Sequence, residues 1–267
     1  MTRIICTSIL ILSVHCAFAQ HQPDIIFYIT DDQSQQDASV YGADILKTPN
    51  MDRLATMGKT FDQAFIASPS CAPSRAALLT GLMPARNGAE ANHTYPDPGI
   101  PLLTEKLQES GYQVIAFGKV AHGMMNEKSN FDYYEAVPKR GDLSGRIQEY
   151  LEHNPTDKPL CVLVGDKRPH ILWTEKMAYD PGDVELPDYF INTKETREHM
   201  ARYYTDITGI DKELGEVMDL AELRFGDNFI FIFSSDHGSQ WPFAKWNLYD
   251  AGIRVPLIVA WPDHIQE

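Results

Sequence analysis

The chain has 267 residues, 43% hydrophobic and 22% charged, a globular composition that excludes a largely disordered chain. Lys and Arg total 23 against 37 Asp and Glu, a net charge of −14, so no long-range field attracts phosphate and general nucleic-acid binding is excluded. Four cysteines are too few for a disulfide scaffold of this length.

Residues 1–19 read as a signal peptide. Arg3 supplies the positive start, Ile4 to Val14 a mostly apolar core too short to span a membrane, and Ala17-Phe18-Ala19 the small-x-small cleavage pattern. Cleavage after Ala19 leaves residues 20–267 and predicts a periplasmic or secreted protein with no membrane span. It removes Cys6 and Cys16; Cys71 and Cys161 remain and need not pair.

Asp24 to Thr30, DIIFYIT, predicts a buried strand that stops at Asp31-Asp32. Residues 51–57 fit a short helix capped by Asn50 after Pro49. Residues 74–82 read as helix, with Ala76, Leu79 and Leu82 at three-residue spacing and Gly81 near the stop. Residues 102–110 form an amphipathic helix ended by Gly111, and 112–117 a second strand running into Gly118-Lys119. A third strand covers 160–164. A long helix covers 194–223, weakened by Gly209 and Gly215. A fourth strand at 229–233 leads into Ser234-Ser235-Asp236-His237, and a fifth covers 255–260. Residues 126–135 and 173–187 read as surface excursions. The alternation predicts an α/β fold with a mostly parallel central sheet. Strands end in polar residues at Asp31-Asp32, near Lys119, near His170 and at Asp236-His237. In open α/β sheets that edge is where ligands bind.

Adjacent carboxylates at a strand end repel, and a hard divalent cation relieves the repulsion; the competing reading is a solvated turn. Cys71 stands just before a helix start. Pro73 suits the first turn, the free N–H groups there favour an anion, and Arg75 follows one turn on. Taken alone, Cys71 could equally be a buried structural cysteine.

Ser70 to Gly81, S-C-A-P-S-R-A-A-L-L-T-G, resembles the sulfatase signature. Upstream, D-I-I-F-Y-I-T-D-D and T-P-N-M-D-R-L-A resemble the family's amino-terminal segment. Downstream, G-K-V-A-H, K-R-P-H, S-S-D-H-G and K-W-N-L-Y-D-A-G-I-R-V-P resemble later blocks, in the expected order across 24–262. The resemblance implies an alkaline-phosphatase-like α/β sandwich. It implies hydrolysis of sulfate esters, or sulfamates, of sulfated carbohydrates or aryl sulfates. It also implies a maturation enzyme that oxidises Cys71 to formylglycine, whose hydrate attacks sulfur and then collapses to aldehyde and sulfate.

By the same resemblance Asp31, Asp32, Cys71 as formylglycine, Asp236 and His237 bind Ca²⁺. Most members carry Asn at the position of His237, which here either ligates the metal or contacts the substrate oxygen beside it. Arg75, Lys119 and Lys245 form a positive cage for sulfate. His122 accepts a hydroxyl proton, a task suited to its ordinary pKa of ~6.5. His170 contacts sulfate and protonates the leaving oxygen. His93 has no assigned role. Asp250 stands either at a specificity contact or in a solvated loop. Trp173, Trp241 and Trp246 are either sugar platforms or packing. Two alternatives stay open: a phosphoester hydrolase of the same superfamily, which the Cys of C-x-P-S-R counts against, and a non-catalytic binder of sulfated glycans. Family members are longer. The resemblance therefore implies that residues 20–267 are an amino-terminal catalytic portion, truncated before a smaller carboxy-terminal domain.

Overall fold

The computed structural model describes residues 22–265, so the expected signal peptide, with Cys6 and Cys16, lies outside the described residues. Seven strands form one sheet: β1 (Asp24–Asp31), β2 (Gly58–Thr60), β3 (Gln113–Gly118), β4 (Tyr133–Glu135), β5 (Leu160–Pro169), β6 (Phe229–Ser235) and β7 (Leu257–Ala260). The helices are α1 (Pro49–Thr56), α2 (Cys71–Thr80), α3 (Pro84–Asn87), α4 (Leu103–Glu109), α5 (Met125–Lys128), α6 (Leu143–His153), α7 (Lys194–Phe225) and α8 (Asp250–Ile253). The spatial order is β2-β7-β6-β1-β5-β3-β4. The five strands from β6 to β4 run parallel, whereas β7 joins β6 antiparallel and β2 joins β7 antiparallel at one side. Among the described residues no helix is long and apolar enough to cross a membrane.

Both faces of the sheet are covered, which is why its strands are continuous apolar runs rather than alternating ones. Ile115, Phe117, Val162 and Val164 pack on one face with Ile207, Ile210, Leu214, Met218 and Ala221 of α7. Val114, Ala116, Cys161 and Leu163 pack on the other with Leu107 of α4. The buried residues of α7 recur three or four apart, one stripe of a 3.6-residue period.

Several boundaries differ from those expected. Helix α1 starts at Pro49 rather than Met51, because a missing N–H costs nothing in a first turn. Asn50 is therefore inside the helix, and its backbone N–H and Nδ2 donate to the Asp211 carboxylate of α7 at 3.0 Å. Gly215 of α7 admits that contact: a Cβ there would lie 2.5 Å from Asn50 Oδ1. What reads as a weak point in α7 is thus the seat of α1. Helix α2 starts at Cys71 itself. The excursion at 126–135 carries the edge strand β4. Helix α6 is not foreseen, although Asp142 caps it by accepting from the Gly145 N–H at 2.7 Å and Leu143, Ile147 and Leu151 are buried at four-residue spacing.

Strand β5 runs five residues past the expected Val164, to Pro169. Its pairing with β1 shifts register between Ile29 and Asp31, so Asp31 lies opposite Pro169 and His170 emerges beside the carboxylates. Beside it, the Lys119 N–H donates to the Gly165 carbonyl at 2.8 Å. A Cβ on Gly165 would overlap the Lys119 carbonyl, so this glycine lets β3 and β5 close at the lysine.

Candidate active site

The ends of β1 and β6 are tied to each other. The Asp236 N–H donates to the Thr30 carbonyl at 3.0 Å, and the Asp32 N–H to Asp236 Oδ1 at 3.1 Å. Asp32 holds a left-handed φ of 74°, which is uncommon for a residue with a side chain and turns the chain at the strand end. Asp31, Asp32 and Asp236 are each at most 2% exposed. Three cations face them. Lys119 Nζ lies 2.6 Å from Asp31, Lys245 Nζ 2.9 Å from Asp32, and Arg75 Nε 2.8 Å from Asp236. Burial works to raise the Asp31 carboxyl, but Lys119 and Arg75 hold it well below the usual range. Asp32 is raised, by burial first and then by the charge of Asp31.

Arg75 departs from the expected sulfate cage. It is 1% exposed. Nε donates to Asp236, one terminal nitrogen to the Lys119 and Val120 carbonyls, and the other to Asp31 and the Thr30 carbonyl. A guanidinium has five N–H groups, and all five are taken. Arg75 is a brace for the carboxylates, not a hand for substrate.

Cys71 sits at the first position of α2. Burial pushes its thiol up to about 12, and Asp236 and Asp31 add to the shift. It is therefore a thiol and not the thiolate that nucleophilic chemistry requires. His237 Nε2 lies 3.1 Å from Cys71 Sγ and 3.3 Å from Asp32 Oδ1. His237 Nδ1 is 2.8 Å from the Gly238 carbonyl, which only accepts, so Nδ1 carries the proton. When the ring is neutral its Nε2 lone pair therefore faces the cluster, the arrangement of a metal-ligating histidine. Ligand atoms of Asp31, Asp32, Cys71, Asp236 and His237 lie within 4.8 Å of one another, all buried. The donor set fits a hard divalent cation, with oxygen from three carboxylates and one imidazole nitrogen. Three carboxylates against three cations also leave the floor near neutral, so an added divalent cation would leave the surplus positive charge that an anionic substrate needs.

The other expected residues lie at the rim. His170 keeps 34% of its side chain exposed, with Nε2 3.9 Å from Asp32. Its Nδ1 donates to the Ile171 carbonyl at 2.6 Å. Lys139 Nζ donates to the His170 and Leu172 carbonyls and Arg140 to that of Leu172, while buried Asp206 holds both cations. Nothing in the spacing of Lys139, Arg140 and Asp206 signals that role. His122 makes no hydrogen bond to the carboxylates, although Lys119, Arg75 and Asp31 are near enough to act on its charge, and its Nε2 lies 2.8 Å from His93 Nδ1. Trp173 stacks on Trp241 at 4.7 Å, and both meet the edge of Tyr203, so these two are packing. Trp246 is 63% exposed, with Lys245 Nζ 5.6 Å from its ring centre. Asp250 opens α8 with its side chain in solvent.

Comparison with known proteins agrees with this geometry. The Sulfatase family profile matches residues 23–267. An "Ulvan-active sulfatase" of Formosa agariphila is 34% identical over 254 residues, covering 92% of this chain and 50% of the relative. The "N-acetylgalactosamine-6-sulfatase" of Homo sapiens is 29% identical over 316 residues, covering 92% and 58%. The chain thus spans little more than half the length of these relatives. A solved protein in complex with its substrate D-glucosamine-2-N,6-O-disulfate has the same fold, with a TM-score of 0.74 at 19% identity over 92% of this chain and 72% of that one. The chain belongs to the sulfatase family.

Proposed function

We propose that this chain is the catalytic portion of a sulfatase acting on sulfated carbohydrates, with Cys71 converted to formylglycine and Ca²⁺ held by Asp31, Asp32, Asp236, His237 and the residue at 71. The convergence of these five groups within 4.8 Å carries the reading. Support for the substrate class comes from the relatives, whose names specify ulvan and N-acetylgalactosamine-6-sulfate chemistry.

Each residue has a task that follows from its position. The buried thiol, pushed up to about 12, is inert as it stands, so oxidation at 71 is what supplies a hydroxyl nucleophile. A bound divalent cation supplies Lewis-acid polarisation of a sulfate oxygen. Lys119 and Lys245 stay charged: burial is the largest single effect and lowers both, but the surrounding groups, led by Asp31 for Lys119 and Asp32 for Lys245, together raise them above the ordinary value. They can transfer donors from carboxylate to sulfate oxygen in a water-poor site, where such interactions are strongest. His170 presents its Nε2 at the mouth and, when that nitrogen carries a proton, can give it to the leaving oxygen. His122 is lowered to about 4, by burial first and then by Lys119 and His93, so it is neutral, with a lone pair open to a proton but weaker as a base than an ordinary imidazole. Trp246 offers a ring face to the sugar. Supporting partners are a maturation enzyme, read from C-x-P-S-R, and an export pathway to the periplasm or beyond, read from residues 1–19.

The test is a mass spectrum of the residue-71 peptide from a host with the maturation enzyme, beside sulfate release from an aryl sulfate and a 6-sulfated amino sugar. A loss of about 18 Da at Cys71 with sulfate release supports the reading. An unmodified thiol with full activity sinks the nucleophile, and reactivation of chelated protein by zinc alone favours phosphoester chemistry.

A further inference from the structure

His93 and His122 come from different loops and meet nitrogen to nitrogen. His93 Nδ1 lies 2.8 Å from His122 Nε2, with ring centres 4.6 Å apart. The contact is built. Ala91 and Thr94 close a turn through backbone and Thr94 Oγ1 hydrogen bonds, and Asn92 Oδ1 accepts from the Ala72 N–H, one residue after Cys71. His93 is held at φ 65°, a conformation that residues with side chains seldom adopt. A nitrogen-to-nitrogen contact this short needs one shared proton, so one ring donates while the other accepts. His122 Nδ1 is buried with no hydrogen-bond partner in the protein, whereas His93 is exposed.

From this arrangement we infer that His93 is a positioning residue for His122, forming an imidazole relay that carries a proton from the nucleophile to solvent. The inference rests on the function proposed above. As the O–H bond at residue 71 breaks, an N–H bond forms on one nitrogen of His122. The proton on its other nitrogen passes to His93 Nδ1, and His93 Nε2 releases one to water. One proton leaves the site, and nothing is oxidised or reduced. Lys119, Arg75 and Asp31 from the floor also act on His122, and Lys128 lies across Tyr95 from α5. The chain offers water no other imidazole next to His122 among the described residues.

The experiment compares His93→Gln and His93→Ala with the parent, after mass spectrometry shows equal conversion of Cys71. Glutamine keeps a hydrogen bond but passes no proton. Both variants are expected to lose kcat by roughly tenfold or more with KM little changed, and free imidazole to restore part of it in His93→Ala. Independently of turnover, the NMR titration of His122 is expected to move upward in both, since His93 holds it down in the parent. Parental kcat in His93→Gln overturns the relay, as does a loss that imidazole leaves untouched. An unmoved His122 titration overturns the pairing itself. If the parent releases no sulfate, the functional reading fails, and with it the relay, while the titration still judges the pair.

Discussion

At the floor of the site Arg75 is 1% exposed and all of its N–H groups are engaged, whereas at the rim His170 keeps 34% of its side chain in water and His93 lies in the open. The floor is delivered by the ends of β1, β3 and β6, the start of α2 and the buried Lys245 of the loop after β6. The rim is delivered by the segments after the strands, pinned by part-buried and exposed contacts such as those of Lys139 and Arg140 to the His170 and Leu172 carbonyls. This difference teaches where change is tolerated. A floor group removed leaves its partner buried and less well paired, so its loss is felt as stability, and also as rate where the group faces the substrate. A rim group removed leaves its partner to water, so its loss is felt as rate alone.

Arg75→Ala should break that contrast most severely. It strands Asp236 without its cation and leaves Asp31 to Lys119 alone, and removing one partner of a buried pair costs about 3–5 kcal/mol. Urea unfolding with and without the substitution measures it; a loss under about 1 kcal/mol would show the floor to be less interdependent than its geometry says. Next come Lys119→Ala and Lys245→Ala. If both donors reach the sulfate, each variant should lower kcat/KM by about 100- to 1000-fold, roughly 2.7–4 kcal/mol.

Asp37 sharpens the comparison from outside the site, as a buried carboxyl with no cation. Burial raises it to about 6, against which Tyr203 Oη donates at 2.5 Å. Its folded pKa exceeds its unfolded one of 3.8. The stability it contributes is therefore complete below about pH 4 and is lost as pH rises through about 6. Asp37→Asn should remove roughly 2–3 kcal/mol of pH dependence over that window, read as the difference between the two proteins' stability curves. The smallest effect belongs to Lys128→Ala, an exposed lysine over the Tyr95 ring at 5.3 Å, which should change stability by less than about 0.5 kcal/mol and leave kinetics unaltered. An effect matching that of Lys119→Ala would remove the distinction between site and surface.

The floor was largely legible in the sequence, because apolar runs such as DIIFYIT end abruptly in carboxylates and a parallel sheet aligns such ends at one edge. Cys71, Asp31, Asp32, Asp236 and His237 meet as that logic requires. Less visible was what each charge faces. Arg75 reads as an open cation beside Cys71, yet the chain folds carbonyls of Thr30, Lys119 and Val120 around it. The rim was hidden for a related reason. His93 and His122 are 29 residues apart in loops without periodicity, brought together by contacts such as Tyr95 packing beside Ala121 and Met125. Helix α6 escaped notice because Gly145 lowers helix propensity inside it, where a cap and three buried residues outweigh that cost. Strand β4, three residues at an edge, has too few positions to show alternation.

The central claim is that the buried carboxylates and His237 form one divalent-cation site. The most direct measurement is Tm against Ca²⁺ concentration for the parent, Asp32→Asn and Asp236→Asn. Binding to the folded state alone gives about 2.7 kcal/mol at a hundredfold excess over Kd. The account predicts that Ca²⁺ raises the parent's Tm, that a chelator reverses the rise, and that both variants lose most of it. A parent indifferent to Ca²⁺, or variants that respond as strongly as the parent, would contradict it.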